Sequence, residues 1–468
     1  MIKHTCTIFF LCIGLSAWAQ QISISEPIDL DLDYYYNLLG VENNKYYFLK
    51  GGDQDYELIN FDESLNKRWE SSFKMDKKRP KFIDAQLLDK TINVIYHYDE
   101  KDGAYLKLVK HNLNGNIIDS SKLEIIYDKL GIRPELRIET SENKRFKLFW
   151  NQEGNGLVNY WILDLQKGEI ITKNHFPLSN VIGSKQYHKI LVSNKGLAFM
   201  VLSIQNTKKK VNNHLYKVFK LNTEKAVFKR AFNIEMNGKL TVSVDFTYDN
   251  LNDQIIGGGY YGDESIYEAS GVFYVRIPSN RNLERVVAFT AVDFQKQLFS
   301  NKRKSKNQFT DVFVKDLMLG LNGELIFISE QIRSRTYSDN LTRSTSLKVD
   351  YFFTDMYLVS INPNGEVYWI NTLKKKQISQ NDSGIYSSFF LFKDPKAMRI
   401  IFNDEISRDG TVSEYIIRGD GTYDRDIVFN TEKQELGLRL QDSEQVAKNV
   451  LLIPSQIKRA VRLVRVTF

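Results

Sequence analysis

Residues 357–373 read YLVSINPNGEVYWINTL, two β-rich runs around a four-residue turn. Apolar, aromatic and β-branched residues lead to Ile361, Asn362-Pro363-Asn364-Gly365 turns the chain, and Val367 to Leu373 returns in the same style. Pro presets φ and Gly accepts the left-handed backbone of a close turn, so the stretch specifies a hairpin. The same module stands at six other places: INFDESLNKRW (59–69), KHNLNGNIIDS (110–120), WILDLQKGEIIT (161–172), KVFKLNTEKAVFKRAF (217–232), FYVRIPSNRNLERVVAF (273–289) and EYIIRGDGTYDRDIVF (414–429). A lone hairpin cannot bury its apolar face and stacked copies can, so seven copies imply a repeat architecture.

The turn centres at 66, 115, 168, 224, 281, 365 and 421 are spaced by 49, 53, 56, 57, 84 and 56 residues. Most spacings sit slightly above the ~40–50 residues of compact propeller repeats and fit a four-stranded unit with its loops. The intervals hold further strand candidates: FIDAQLLD (82–89) with TINVIYHY (91–98), KQYHKILVS (185–193) with GLAFMVLSI (196–204), and KLTVSVDFTY (239–248) with QIIGGGYY (254–261). The unit is thus four antiparallel strands, A to D, with the recurring hairpin as C and D. Helical periodicity is nearly absent, the clearest exception being a short turn near Ser443 to Lys448. Such units around a ring make an all-β propeller, which protects sheet edges by radial closure. Residues 449–454 and 460–468 read as two more strands and 21–25 as another, so a final blade built from both ends would close the ring. The expectation is a single propeller over residues 20–468 with eight blades, or seven with terminal extras; no linker rich in Pro, Gly or Ser divides it.

The first 19 residues have the parts of a secretory signal: Lys3, an apolar stretch from Ile8 to Leu15, and Ala17-Trp18-Ala19 before Gln20. The apolar run is far short of the ~20 residues a spanning helix needs, so cleavage near Ala19 and a secreted or periplasmic location are expected, with no transmembrane segment. Both cysteines, Cys6 and Cys12, fall inside this leader, which excludes disulfides, thiolate nucleophiles and Cys-zinc sites from the mature chain. The net charge of +7 is mild and does not mark a nucleic-acid binder. Aromatics at 13% and only 8 prolines favour strands over disorder.

IIGGGYYGDESIYEASGVFYVRI (255–277), WINTLKKKQ (369–377), the following Asn403-Asp404 and the finish RLVRVTF resemble an uncharacterised family of secreted bacterial propeller-like proteins. The resemblance covers the C-terminal half. It implies export and a propeller-like body and supplies no catalytic residues.

Catalytic signatures are missing. His97, His111, His175, His188 and His214 show no metal-ligand spacing, and neither H-E-x-x-H nor G-x-S-x-G occurs. Gly257-Gly258-Gly259 has no following helix to receive a phosphate and reads as a bulge or close strand approach. Acid pairs such as Asp53/Asp55, Asp99/Asp102, Asp263/Glu264 and Asp404/Asp409 read as turn acids, although glycosidase carboxylates ~5–10 Å apart have no local signature. Ser407-Arg408-Asp409-Gly410-Thr411 is similar to the Asp-box of sialidase-type propellers but lacks its spacing and its Trp. Calcium sites at Asp31/Asp33 or 249–253 have no full loop signature, and no cofactor or metal is expected.

The A-B and C-D turns of a propeller lie on one face and the B-C and D-A connections on the other. Turns of the first kind are nearly all short; the long connections, 76–81, 205–213, 262–270, 295–309, 333–350 and 374–384, are concentrated in the second. Basic runs fall in them: Lys77-Lys78-Arg79-Pro80-Lys81, Lys208-Lys209-Lys210, Lys302-Arg303-Lys304 with Lys306, and Lys374-Lys375-Lys376. Together they could form a positive rim acting over ~10 Å at 0.1 M salt. The expected binding set around the 84-residue interval is Tyr260, Tyr261, Asp263, Lys302, Arg303, Lys304, Arg335, Tyr337, Lys375, Gln377 and Asp382. Tyr with Asp and Asn suits sugar and protein contacts alike. The expectation is an exported, non-enzymatic propeller binding an acidic glycan or an envelope protein, with nucleic acid the least expected partner. The alternatives are a carboxylate glycoside hydrolase or polysaccharide lyase, and a structural component of an envelope assembly.

Overall fold

The computed structural model describes residues 20–30, 35–77, 80–101, 103–125, 136–153, 156–177, 188–222, 227–279, 283–294, 309–339, 346–404, 406, 410–431 and 434–468. These form eight antiparallel sheets, with 3-10 turns only at Lys208–Asn213 and Leu440–Asp442. After β1 (Gln21–Ile24) and β2 (Ile28–Asp29), blade 1 holds β3 (Tyr35–Glu42), β4 (Lys45–Gly52), β5 (Asp55–Phe61) and β6 (Lys67–Lys74). Blade 2 holds β7 (Lys81–Leu88), β8 (Thr91–Asp99), β9 (Ala104–His111) and β10 (Ile117–Ile125). Blade 3 holds β11 (Arg137–Thr140), β12 (Phe146–Gln152), β13 (Leu157–Asp164) and β14 (Glu169–Pro177). Blade 4 holds β15 (His188–Val192), β16 (Ala198–Ile204), β17 (Leu215–Asn222) and β18 (Val227–Glu235). Blade 5 holds β19 (Leu240–Asp249), β20 (Gln254–Gly262), β21 (Gly271–Pro278) and β22 (Val286–Ala291). Blade 6 holds β23 (Val312–Leu319), β24 (Leu325–Asp339), β25 (Ser346–Ile361), β26 (Val367–Leu373) and the extra β27 (Gln377–Gln380). Blade 7 holds β28 (Phe390–Lys393), β29 (Met398–Asn403), β30 (Thr411–Ile417) and β31 (Tyr423–Asn430). The last strands are β32 (Glu444–Ala447), β33 (Val450–Ile457) and β34 (Ala460–Thr467).

Seven sheets run A-B-C-D in chain order, and the seven recurring hairpins are their C-D pairs. The eighth is ordered β32-β33-β34-β1, so the two ends of the chain share one blade. β1 pairs with β34 from Gln21↔Thr467 to Ile24↔Val464, and Ser25 Oγ accepts the Leu463 N–H at 2.9 Å. β3 packs beside β32, which joins the first blade to the last and closes an eight-bladed propeller. The inner strand of the closing blade corrects one expectation: Glu444–Ala447 is strand, and the 3-10 turn lies just before it, at Leu440–Asp442. Four residues are too few for a period to separate helix from strand.

The core lies between blades. One cluster joins Tyr260, Val272 and Tyr274 of blade 5 to Phe327, Tyr357 and Val359 of blade 6, and another joins Trp150 and Ile162 of blade 3 to Met200 and Leu202 of blade 4. A middle strand covered on both faces reads as a continuous apolar run, and β20 is buried at every position. Its Gly257-Gly258-Gly259 pairs with Phe246, Asp245 and Val244 next to a bulge in β19 between Thr241 and Ser243, and a Cβ on Gly259 would collide with the Ser243 carbonyl. That is the close strand approach expected of it.

Among the described residues, three hairpin turns share one side-chain pattern. Asn362 Oδ1 accepts the N–H groups of Asn364 and Glu366, both at 2.9 Å, and Gly365 takes φ +89°. Asp62 and Asn112 do the same in blades 1 and 2. These turns also staple neighbouring blades. Gly365 sits on Ala288 of β22, and Gly421 lies on the Trp369 ring, whose Nε1 donates to the Gly419 carbonyl at 3.2 Å.

Candidate functional site

Blade 6 breaks the pattern. β23 ends its pairing at Val312↔Gln331, yet β24 and β25 continue together from Ile332↔Phe353 to Asp339↔Ser346. Residues 333–339 and 346–350, expected within a loop, are therefore paired strands that continue beyond the inner strand on the B-C and D-A face, while 340–345 lie outside the described residues. β27, from the crossover to blade 7, joins it by pairing Gln377–Gln380 with Asp350–Phe353, which makes a ribbon ordered β24-β25-β27. Asn381 extends this edge, its N–H donating to the Val349 carbonyl and its Oδ1 accepting the Val349 N–H, both at 2.9 Å.

A buried ion pair anchors the foot of the ribbon. Lys375 Nζ contacts Glu330, both side chains being fully buried, and donates to Gln377 Oε1 at 2.6 Å. Ser388 Oγ donates to the other Glu330 oxygen at 2.7 Å, and Gln377 Nε2 donates to the Asn403 carbonyl at 2.7 Å. Burial pulls the Lys375 ammonium below its ordinary range, and Glu330 acts against that pull. Lys375 and Gln377 were expected as ligand contacts; buried in this way they position the ribbon instead. Asp382 turns the crossover, accepting from Ser379 Oγ at 2.7 Å and from the Gly384 N–H at 2.8 Å.

Tyr260 and Tyr261 are also buried, because consecutive strand residues point to opposite faces and each face of blade 5 is covered by a neighbour. Tyr260 donates or accepts a 2.6 Å bond with Ser329 Oγ beneath Phe294, Phe309 and Phe327, and burial drives its hydroxyl pKa far up. Lys239 Nζ lies 4.2 Å from the Tyr261 ring centre and pairs with Asp263 at 2.9 Å. Neither ring is available as a stacking plate. Lys302, Arg303 and Lys304 lie outside the described residues, as do Lys78, Arg79, Asp31, Asp33, Asp102, Asp409 and the leader 1–19. Lys77 pairs with Glu100 at 3.0 Å and Lys374 with Asp355 at 2.6 Å, so the lysine runs carry less free charge than their sequence suggests.

Arg335 and Tyr337 do come together, on one face of the ribbon. Gln380 Nε2 donates to Tyr337 Oη at 2.9 Å and to Asp350 Oδ1 at 2.8 Å, fixing the ring between strands. Arg335 is exposed opposite Asp350 in the register, and Ile378 on the same face is an exposed apolar residue at 49%, whereas Leu347, opposite Ser338, is exposed at 72% on the other face. Asp350, Ile378 and Gln380 were absent from the expected set. The signal that could have found them is the alternation of Lys348 to Phe353, which the surrounding Ser, Thr and Arg residues obscured.

The axial channel carries mixed charge. One cavity of about 300 Å³ is lined by inner strands of blades 3 to 6, including Glu139, Lys189, Asp245, Lys315 and Asp316. Lys189 pairs with Asp245 at 3.2 Å. Burial raises the Glu139 and Asp316 carboxyl pKa values; Lys189 opposes this at Glu139, Lys393 opposes it at Asp316, and Asp245 adds to it at both. A second cavity of about 420 Å³ lies toward blades 8, 1 and 2, where Lys147 contacts Asp84 and Lys144 pairs with Glu444 of β32 at 2.7 Å.

Other expected chemistry has structural employment. Asp249 accepts the N–H groups of Leu251 and Asn252 at 3.1 Å, and Asp404 is held by Arg425. Among the described residues no three His, Cys, Asp or Glu side chains are grouped to hold a metal, and no helix is long and apolar enough to cross a membrane. A hollow of about 280 Å³ between blades 7 and 8 is lined by Tyr386, Asn403, Thr411 and Gln456. Asn403 Nδ2 is already bound to the Tyr386 and Leu438 carbonyls, at 2.8 and 3.0 Å.

No protein-family model matches the chain, and no curated protein matches it. Solved structures with a similar chain path include a polysaccharide lyase (11% identity, 82% of this chain and 89% of that one, TM-score 0.42). The β-propeller domain of the trilobed protease from Pyrococcus furiosus matches at 10% identity over 88% and 97%, TM-score 0.35. The WD40 domain of Toxoplasma gondii coronin matches at 10% identity over 80% and 78%, TM-score 0.36. At such values none of these proteins lends its activity to the chain, which is similar to propeller proteins in its body plan.

Proposed function

We propose that this chain is an exported, non-enzymatic binding propeller that holds an envelope protein against the projecting ribbon of blade 6. Binding residues concentrate on projections that a rigid scaffold holds in place, and the buried Lys375–Glu330 foot makes this one rigid. The observation that carries the reading is the ribbon face where the exposed Arg335 stands with Tyr337 and the exposed apolar Ile378. A mixture of aromatic, Arg and apolar groups suits a protein surface. An acidic glycan is less well served, because Lys77 and Lys374 are ion-paired and Lys375 is buried.

The test compares residues 20–468 with a variant in which 334–351 is replaced by Asn-Gly, using cross-linking to envelope extracts and a glycan array at low and high salt. A cross-linked protein lost by the shortened variant at unchanged melting temperature is the expected result. Equal capture by both proteins sinks the reading, and acidic-glycan binding that survives the shortening moves it to the remaining loops.

A second reading, a carboxylate glycosidase or lyase, draws on Glu139 and Asp316, two half-buried carboxyls with raised pKa beside Lys189 and Asp245. It predicts polysaccharide cleavage by the wild type that Glu139→Gln or Asp316→Asn abolishes. Absence of cleavage across neutral and acidic polysaccharides removes it.

A further inference from the structure

We propose that the free edge of β24 between Ser334 and Ser338 receives an extended acidic peptide as an added strand, an inference that rests on the ribbon being the docking element. β24 outruns β23, so its inner edge has no strand partner among the described residues beyond Gln331. Ile332 marks the direction of that edge: its N–H donates to the Asp311 carbonyl at 2.9 Å, away from β25. Backbone groups alternate in direction along a strand, so the N–H and C=O groups of Ser334, Thr336 and Ser338 point the same way. Such a row of unpaired donors and acceptors is the template for strand addition. The opposite edge of the ribbon already accepts an extended segment, β27, which reaches it from a crossover and not from a hairpin.

The chain itself supplies a template for the guest's chemistry. Where Asp311 meets this edge, its carbonyl takes the Ile332 N–H and its carboxylate takes Arg333 Nε at 2.7 Å. Two residues further along the same face, Arg335 is exposed and has no ion-pair or hydrogen-bond partner among the described residues. A guest carboxylate beside Arg335 repeats the Asp311–Arg333 contact one step on. The other face of the edge offers only the small hydroxyls of Ser334, Thr336 and Ser338, which leaves room for alternate guest side chains. A second copy of this chain is a poor guest, because edge-to-edge pairing would bring the Arg333 and Arg335 guanidinium groups of two copies together.

The probes are a capped Thr-Glu-Thr-Glu-Thr-Glu-Thr peptide, the same peptide N-methylated at alternate amides, and its Lys-for-Glu counterpart, titrated into residues 20–468 by fluorescence anisotropy. Thr336→Pro removes an edge donor, Ser338→Pro provides a second such variant, and thermal melts confirm that each remains folded. The acidic peptide binds the wild type and weakens with salt. N-methylation or either Pro variant weakens it by at least about tenfold, and Arg335→Glu weakens it by about tenfold, the value of one charge-assisted contact, while favouring the Lys peptide. Undiminished binding of the N-methylated peptide, undiminished binding by the Pro variants, or no binding of any acidic probe overturns strand addition. So does a wild-type dimer that Thr336→Pro makes monomeric. If the Pro variants still capture the envelope partner and the Asn-Gly variant does not, strand addition fails and the docking reading stands. Capture by the Asn-Gly variant defeats the docking reading itself.

Discussion

Lys375 and Glu330 form an ion pair with no solvent exposure, an arrangement whose desolvation cost is met only while both partners and their hydrogen bonds are present. Lys375→Met should lower unfolding free energy by about 3–5 kcal/mol, and the Lys375→Met/Glu330→Leu double variant should recover most of that loss. Urea titration of the three proteins checks both values. His214 is a second buried polar residue, bonded through Nδ1 to the Ile204 carbonyl and through Nε2 to Thr241 Oγ1, each at 2.9 Å. Burial lowers its pKa below 6.5, and the Ile204 contact acts the other way. At pH values between the folded and unfolded pKa the folded chain therefore binds fewer protons at this ring than the unfolded chain does. The stability it contributes is complete above its unfolded value, near 6.5, and is lost as pH falls from there toward the folded value. His214→Gln should flatten the decline in melting temperature below pH 6.5, a difference readable by calorimetry. Neither residue's role was legible in sequence: Lys375 sits in a lysine run that looks solvated, and its partner stands 45 positions earlier.

At the scale of the element, turns were the most legible feature because their chemistry is local. An Asn or Asp that bonds the N–H groups two and four residues on, followed by a left-handed Gly, needs nothing from the rest of the fold. The Gly257-Gly258-Gly259 run was legible for a related reason, since missing side chains in a strand mark close approach. Gly259→Ala should cost about 1–3 kcal/mol, because its Cβ would displace the Ser243 backbone, whereas Gly419→Ala, with no neighbour near its Cβ, should be close to neutral. Chemical denaturation of the two variants separates these outcomes. The ribbon was not legible as strand. Its polar residues, Arg333 to Ser338, show little of the alternation a half-buried strand carries, because much of that hairpin is exposed. Tyr260 and Tyr261 misled in the opposite sense: an aromatic pair beside loop residues looks like a binding plate until both sheet faces prove to be covered.

For the whole molecule, ring closure depends on a short strand. β1 adds its four pairs to β34, and Ile22 and Ile24 pack on the apolar cluster of blades 6 to 8. Deleting residues 20–25 should lower the melting temperature by several degrees and raise hydrogen exchange first in β33 and β34, which would lose their cover. Unchanged exchange there would show that closure does not depend on β1. The repeat, its four strands, the hairpin turns and the joining of the ends were determined by the sequence alone, because each follows from turn chemistry and β-rich patterning within short windows. Only the tertiary structure decided which side chains remain free. That depends on which neighbour covers each sheet face and on partners far apart in the chain, as with Lys375 and Glu330 at the foot of the ribbon and Lys144 and Glu444 in the channel.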